Sequence, residues 1–463
     1  IQGSVSASQE QISWVLTSYI VSAAIMTPLA GWLADKLGRK RLFLISIAGF
    51  TIASMLCGIA TSLVEIVAFR LLQGLFGASL IPLSQATLLD INPPEKHGQA
   101  MAVWGMGAIL GPIMGPALGG WLTEHASWRW VFFINLPIGI FAFLGVLFFI
   151  GKDKLAPAKP FDFLGFGTMV LFIGAFQLML DRGPSADWFS SAEIWTYALL
   201  ALGALWVFVV HTMTVAHPFF DRNLMRDKNF VTASVFGFFV GILLFSAMAL
   251  TPPMMQGLMG YPVLTAGLVS MPRGLGSFLA MIIVGQIVGR VDTRLILAVG
   301  LGLNGYALWQ MTQFDLVMGS EPFMISGFFQ GLGIGLIFVP LSTLAFATIP
   351  PHLRSEGSSV YTLIRNLGAS AGISIMAAVL SRNNQAMHAT LASNIDPSSP
   401  TLRALFGPGW EHRSLEAING EITRQSAMIA YLDDFKLMLI ITIACLPMLL
   451  LMRAPKRSAG GPV

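Results

Sequence analysis

Charge is the scarcest commodity in this 463-residue chain. Charged residues make up 11% of it, against about 25% in soluble domains. There are two cysteines, Cys57 and Cys445, each inside an apolar run, which excludes a disulfide-stapled secreted fold. The seven histidines (97, 125, 211, 217, 352, 388, 412) are scattered through separate loops and helix ends. That argues against an intramembrane lipid-modifying enzyme, which needs clustered Asp, His or metal ligands. It also leaves no metal set. No G-x-x-x-x-G-K-[ST] occurs, since Gly151-Lys152 is followed by Asp153. The longest stretch between apolar runs, about 381–432, is too short for a nucleotide-binding domain, which argues against a self-contained ATP-driven pump. No acid stands in the middle of an apolar run; Glu65 and Asp162 lie at the ends of theirs.

What the chain has is apolar bulk: 55% hydrophobic residues with 47 Gly, 33 Phe and 24 Met. Disorder requires the opposite composition. A helix needs about 20 mostly apolar residues to cross a bilayer. Thirteen such runs are present, near 11–33, 42–63, 65–88, 99–122, 130–150, 162–180, 193–212, 230–252, 265–288, 295–312, 322–347, 358–380 and 435–452. Short linkers make this an all-α membrane protein. Alternate linkers and the tail hold seventeen Lys and Arg, including Lys36, Arg39, Lys40, Arg41, Arg222 and Arg354, against seven in the other set. Basic loops stay inside, so the first set and the C-terminus are expected in the cytoplasm.

The chain repeats itself. Arg70-Leu71-Leu72-Gln73-Gly74, then Pro82-Leu83-Ser84 and Pro93-Pro94, returns as Gly327-Phe328-Phe329-Gln330-Gly331, Pro340-Leu341-Ser342 and Pro350-Pro351, at an offset of about 257. Gly31 with its basic loop matches Gly285 with Arg290 and Arg294 at 254. The expected organisation is a first bundle over 1–150, two inserted helices and a loop over 151–228, a second bundle over 229–452 with an outer loop 381–432, and a tail 453–463. The second half has about 26 more residues ahead of its repeat than the first, so a fourteenth helix is expected ahead of the thirteen.

Three patterns carry function. In Gly31-Trp32-Leu33-Ala34-Asp35-Lys36-Leu37-Gly38-Arg39-Lys40-Arg41, Gly31 permits close helix approach and Gly38 a sharp turn. Asp35 stands where Arg39 or a neighbouring helix N-terminus can meet it, a latch for one state of a two-state bundle. Arg70, in Arg70-x-x-Gln73-Gly74-x-x-Gly77, is a charge inside a span, costly and by default functional. The repeat has Gly327 there, so the architecture does not require it. Gly107, Gly111, Gly115 and Gly119 recur every fourth residue beside Pro112 and Pro116, a ridge for close packing on a bent helix.

These patterns, in this order, resemble those of the major facilitator superfamily. Gly111-Pro112 through Gly119-Gly120 resembles the signature of its antiporters. Trp128-Arg129-Trp130-x-Phe132-Phe133-Ile134-Asn135-Leu136-Pro137 and Leu178-Met179-Leu180-Asp181-Arg182-Gly183 are similar to the fourteen-span drug:proton antiporters, and the likeness to EmrB-type exporters runs from end to end. The resemblance implies a major facilitator fold: two pseudo-symmetric six-helix bundles plus two inserted helices, with thirteen of fourteen spans present. It implies export of amphipathic compounds for protons by alternating access, without a cofactor. Gly31, Asp35, Gly38 and Arg39 match the cytoplasmic gate motif, Arg70 the arginine of proton coupling, and Gly111, Pro112, Gly115, Pro116 and Gly119 the antiporter motif. The second gate copy departs from the pattern, with Gly289 at the Asp35 position and Asp292 the nearest acid. A bacterial inner-membrane location is implied, with a periplasmic adaptor and an outer-membrane channel as partners. A metabolite symporter is the alternative that the Gly-Pro ridge disfavours.

Cavity candidates on the matching helices are Ser18, Tyr19, Gln73, Met106, Met254, Met255, Gln330 and Asn366. Arg273 and Arg365, near span ends, are expected to snorkel. In the outer loop, Leu415, Ile418, Ile422, Met428 and Ile429 recur at helical spacing, which predicts an amphipathic helix lying on the membrane or on a partner such as the adaptor, with a loop folded on its own transporter as the equal alternative. The family's first-helix Asp has no counterpart here, so the main proton site is expected in the fourteenth helix. The 463 residues alone are therefore expected not to perform coupled transport; uptake driven by a pH gradient in proteoliposomes of this form would contradict that.

Overall fold

The computed structural model describes residues 9–151, 160–288, 290–395 and 415–450. The first half comprises α1 (Gln9–Met26), α2 (Leu29–Leu37), α3 (Arg39–Ile59), α4 (Leu63–Gly77), α5 (Leu80–Ile91), α6 (His97–His125), α7 (Trp130–Phe133) and α8 (Asn135–Phe149). Next come α9 (Phe163–Arg182), α10 (Ala192–Thr214) and the short α11 (Arg222–Arg226). The second half comprises α12 (Lys228–Gly257), α13 (Val263–Ile287), α14 (Thr293–Met311), α15 (Glu321–Ala347), α16 (Arg354–Ser393) and α17 (Leu415–Cys445). Among the described residues nine helices are long and apolar enough to cross a membrane, ten counting α1 and α2 as one span bent by 57°. The remaining expected spans are also helical, as α6, α14 and α17. Phe141 is 82% and Phe149 90% exposed. Such outward aromatics fit lipid, not water.

Local chemistry fixes the helix ends. Asp162, Asp227 and Asp292 cap α9, α12 and α14, each accepting from a first-turn backbone N–H. Gly38 takes a positive φ of 84° between α2 and α3, the sharp turn expected there.

The sequence repeat has a geometric counterpart. A Cβ built on Gly74 of α4 would lie 2.5 Å from the Tyr19 carbonyl oxygen of α1. Its match, Gly331 of α15, meets the Arg273 carbonyl of α13 still more closely. Tyr19 and Arg273 are themselves repeat-related, at the 254 offset. The two halves therefore cross the same helix pair on the same glycine. Lipid gives no hydrophobic drive between helices, so small residues that admit a neighbouring backbone carry this packing.

Of the two outer-loop readings, the described residues follow the one folded on the protein itself. Residues 415–445 form one helix that continues into the last span. It pairs with the far end of α16, Ser426 donating to Asn384 at 2.7 Å and His388 meeting Asn419 at 3.2 Å. Ile418 and Met428 are buried, Met428 in the apolar cluster around Phe435. With 40 residues, α16 is about 60 Å long, against about 30 Å of hydrocarbon, so the pair stands out as a helical hairpin. Residues 396–414 of the loop, and the tail, lie outside the described residues.

Gly331→Ala is expected to lower unfolding stability in detergent by about 1–3 kcal/mol, the cost of overpacking. Gly302→Ala, where a Cβ meets nothing within 4 Å, is expected to be neutral or stabilising by up to about 1 kcal/mol. Thermal unfolding of the two variants side by side checks the difference.

Candidate functional site

At the basic end of the bundle the two halves are tied together. Arg39, at the start of α3, forms an ion pair with Asp90 of α5. Arg354, at the start of α16, reaches the same carboxylate at 2.7 Å and the Leu89 carbonyl at 3.1 Å. One turn on, Ser358 donates to Gln85 at 2.8 Å, both side chains being fully buried. A carboxylate shared by two guanidiniums in a partly buried place exceeds the ~0–1 kcal/mol of an exposed pair. Beside it His97 is 7% exposed and bonded to the Asn92 carbonyl at 3.1 Å. Burial first, then the Arg354 charge, holds its imidazole below the usual range.

Gly31 sits at the same seam. A Cβ there would lie 2.9 Å from Cα of Glu356, in the first turn of α16. Asp35 lines a cleft of about 280 Å³ with Glu356, Asp221 and Arg222. The gate motif is thus brought to the start of α16. The acid that receives Arg39 and Arg354 together is Asp90, which sequence reading missed. It lies outside the motif, and nothing in its neighbours marks it. In the second copy Asp292 caps α14, donated to by the Arg294 N–H at 2.9 Å; Gly289 lies outside the described residues.

Arg70 is half-buried and held by neutral groups. Its guanidinium donates to the Val15 carbonyl at 3.0 Å and to Gln73 Oε1 at 2.8 Å, and lies 4.3 Å from the Tyr19 ring centroid. Among the described residues no carboxylate pairs with it.

The glycine ridge of α6 differs from its expectation of close packing. A Cβ at Gly107, Gly111, Gly115 or Gly119 meets nothing within 4 Å. The side chains of Pro112 and Pro116 are outside those described. The repeat positions of Gly111 and Gly115 are Gly368 and Gly372 of α16, and those are tightly packed: against the Phe238 carbonyl, and 2.7 Å from Cα of Ile242, both on α12. Among the described residues no helix stands to α6 as α12 stands to α16.

Between the halves lies a cavity of about 310 Å³. Ile81, Trp104 and Ala108 face it from the first half, and Phe245, Met248 and Phe338 from the second. Arg273 and Arg365 also line it. They do not snorkel: Arg365 is 6% exposed, and the Nε of each is buried without an acceptor. Hydropathy placed them near span ends because it cannot see which way a helix faces. The cavity candidates named from sequence fall elsewhere. Ser18 and Gln73 are buried near Arg70, Tyr19 lies beneath its guanidinium, and Met254 and Met255 are buried in the apolar cluster around Phe435. Met106 packs on the main core, Gln330 is fully buried with its amide unpartnered, and Asn366 is not among the lining residues. Asp434 of α17 is also fully buried, with neither carboxyl oxygen hydrogen-bonded. It lies one residue outside the last apolar run, which is why a search of the runs passed over it.

With this geometry in hand, likeness to known proteins is informative. The profile of the Major Facilitator Superfamily matches residues 1–373. The chain is 33% identical over 467 residues to the fatty acid resistance protein FarB of Neisseria gonorrhoeae, covering all of this chain and 92% of that one. It is 33% identical over 468 residues to the multidrug export protein EmrB of Escherichia coli, covering all of this chain and 91% of that one. In structure it is similar to the human organic anion transporter MFSD10, with a TM-score of 0.59 over 93% of this chain and 83% of that one, at 14% identity, a likeness of fold.

Asp90→Asn removes the shared negative charge and leaves one amide oxygen between Arg39 and Arg354. Gln85→Cys, fully buried in the closed seam, is expected to react with a soluble maleimide about five-fold or more faster in that background, as a loss of about 1 kcal/mol gives. Arg354→Ala is expected to act in the same direction. Unchanged labelling in both would place the closure elsewhere.

Proposed function

The chain belongs to the major facilitator superfamily, among its EmrB-type efflux proteins, and from that premise we propose that it exports amphipathic small molecules from the cytoplasm in exchange for protons. The observation that carries the reading is the mostly apolar cavity between the halves, tied shut at the basic end through Asp90, in a chain similar along its whole length to multidrug export proteins. The basic end is the cytoplasmic one by the charge rule, and the membrane is the bacterial inner membrane. In alternating access the bond set at Asp90 opens to admit substrate and re-forms when the cavity faces outward.

Arg70 is the group through which proton movement is felt. An arginine does not itself deprotonate, but a guanidinium held only by neutral partners is free to pair with an acid when that acid loses its proton. The helical hairpin of α16 and α17 is the docking element for a periplasmic adaptor, which passes substrate on to an outer-membrane channel.

Two measurements test this. In proteoliposomes of the intact protein under an imposed pH gradient, lipophilic drugs are expected to drive lumenal pH changes. Arg70→Ala is expected to reduce them about ten-fold or more, a loss of about 1.4 kcal/mol in the coupled step. Drug movement that ignores the gradient would overturn the antiport. Replacing 385–430 by a short polar linker is expected to abolish adaptor co-purification; an adaptor that still binds would sink the docking role.

A further inference from the structure

The seam at the basic end has a repeat-related counterpart. At the offset of about 257 that relates Pro93-Pro94 to Pro350-Pro351, Arg354 answers to His97, and the first turn of α16 to that of α6. The start of α16 rests on α2 at Gly31. The start of α6 rests on the end of α13, the repeat of α2. There a Cβ on Gly285, the match of Gly31, would lie 3.2 Å from Cβ of Ala102, and one on Gly98 would collide with the Val288 side chain. Each of the two seams thus joins one half to the other, with a basic residue at the head of a helix. In one seam that residue is a permanent cation, in the other an imidazole.

Their acceptors differ. Arg354 reaches the Asp90 carboxylate and the Leu89 carbonyl at the end of α5. The corresponding positions at the end of α15 are Ala347 and Phe346, so the second seam has no carboxylate where the first has Asp90. His97 turns back to its own half. Its side chain is buried and its Nε2 meets the Asn92 carbonyl at 3.1 Å. A carbonyl only accepts, so Nε2 carries the hydrogen, and in the neutral ring Nδ1 has none.

The charged groups on the surrounding elements leave little to hold a second proton. Asp90 is shared by Arg39 and Arg354. Glu356 of α16 accepts the Asp221 N–H, and Asp292 caps α14. Glu95 and Lys96, in the turn before α6, are both exposed, and Arg290 and Arg294 follow α13. Burial and then the Arg354 charge oppose a proton on His97; the Asn92 and Leu89 carbonyls and Glu95 favour one, and the balance holds the imidazole below its ordinary range.

From this placement we infer that His97 is a proton-binding site that makes closure of the basic end respond to pH. Neutral, the ring packs into the second seam. Protonated, it sets a further cation beside Arg354 with no carboxylate of its own, and the halves part. In the parted form water restores the ring's ordinary value of about 6.5, so that form takes the proton more readily than the closed one. The closing contribution of neutral His97 is therefore present above about pH 6.5 and is lost as the pH falls below it.

The test is maleimide labelling of Gln85→Cys, whose parent side chain is buried at the first seam, in the intact protein in phosphatidylcholine nanodiscs. Each rate is divided by that of the same protein unfolded in dodecyl sulfate, which removes the thiol's own pH dependence. Both faces of a nanodisc meet the buffer, so neither orientation nor export enters the result. Between about pH 7.5 and about 5.5 the ratio is expected to rise about five- to ten-fold, the factor by which a group of ordinary value favours the parted form. His97→Gln, which stays neutral and can still donate to Asn92, is expected to keep the ratio at its neutral-pH level throughout. His97→Lys is expected to show the acid ratio already at neutral pH. A ratio that ignores pH in the protein with His97 intact, a rise that persists in His97→Gln, or a low ratio in His97→Lys overturns the inference. Should His97→Gln fail to fold, His97→Asn takes its place. A pH response lost in His97→Gln, in a protein that moves no drug in proteoliposomes, leaves the switch standing and overturns export.

Discussion

Helix backbones laid directly on glycine are the constraint from which the rest of this structure follows. In lipid the hydrophobic effect does not choose between helix arrangements, so contact geometry must. The contacts on Gly74, Gly241, Gly331, Gly368 and Gly372 leave no room for a side chain. Three of them press on the carbonyls of Tyr19, Arg365 and Arg273, the residues around which the buried charges are organised. Pinning the backbone aims the guanidinium. An arginine on a loosely packed helix would swing its long side chain to water; these two cannot.

The same logic operates at the basic end, where the proposed alternating access calls for a reversible contact. Gly31 brings α2 against the first turn of α16, close enough to register the halves. The adhesive is electrostatic, with Asp90 shared between one arginine from each half. A charge network at a water-accessible edge suits a seam that opens, because water can take over each hydrogen bond as it breaks. A glycine-on-backbone contact deep in lipid has no such replacement, so those contacts hold each half together.

Duplication explains much of the fold and little of the site. Gly74 and Gly331 do the same work in the two halves, as do the helices that cross there. The charges do not follow the symmetry. Arg70 has glycine at its repeat position, Arg273 has tyrosine at its own, and Arg365 has Ala108. The glycines of α16 are packed against α12 whereas their repeats on α6 are open. Scaffold positions are constrained by backbone geometry, which both halves share; the side chains that point into the cavity are constrained only by what passes through it.

Much of the molecule was written locally and could be read locally. Apolar runs of bilayer length, basic loops and turn glycines such as Gly38 act through near neighbours in sequence, so composition, periodicity and recurring motifs determined the membrane class, the helices and the repeat. What only the tertiary structure decided depends on contacts between distant segments. It made Asp90, rather than a motif residue, the acid common to Arg39 and Arg354. It turned the residues around 415–430 into half of a hairpin, because α16 extends far enough to cover them. It buried Asp434, and it turned Arg273 and Arg365 inward to a shared cavity where hydropathy had them at span ends. Hydropathy measures how apolar a helix is along its length; which of its faces meets lipid, a neighbouring helix or a cavity is set by the helices packed around it.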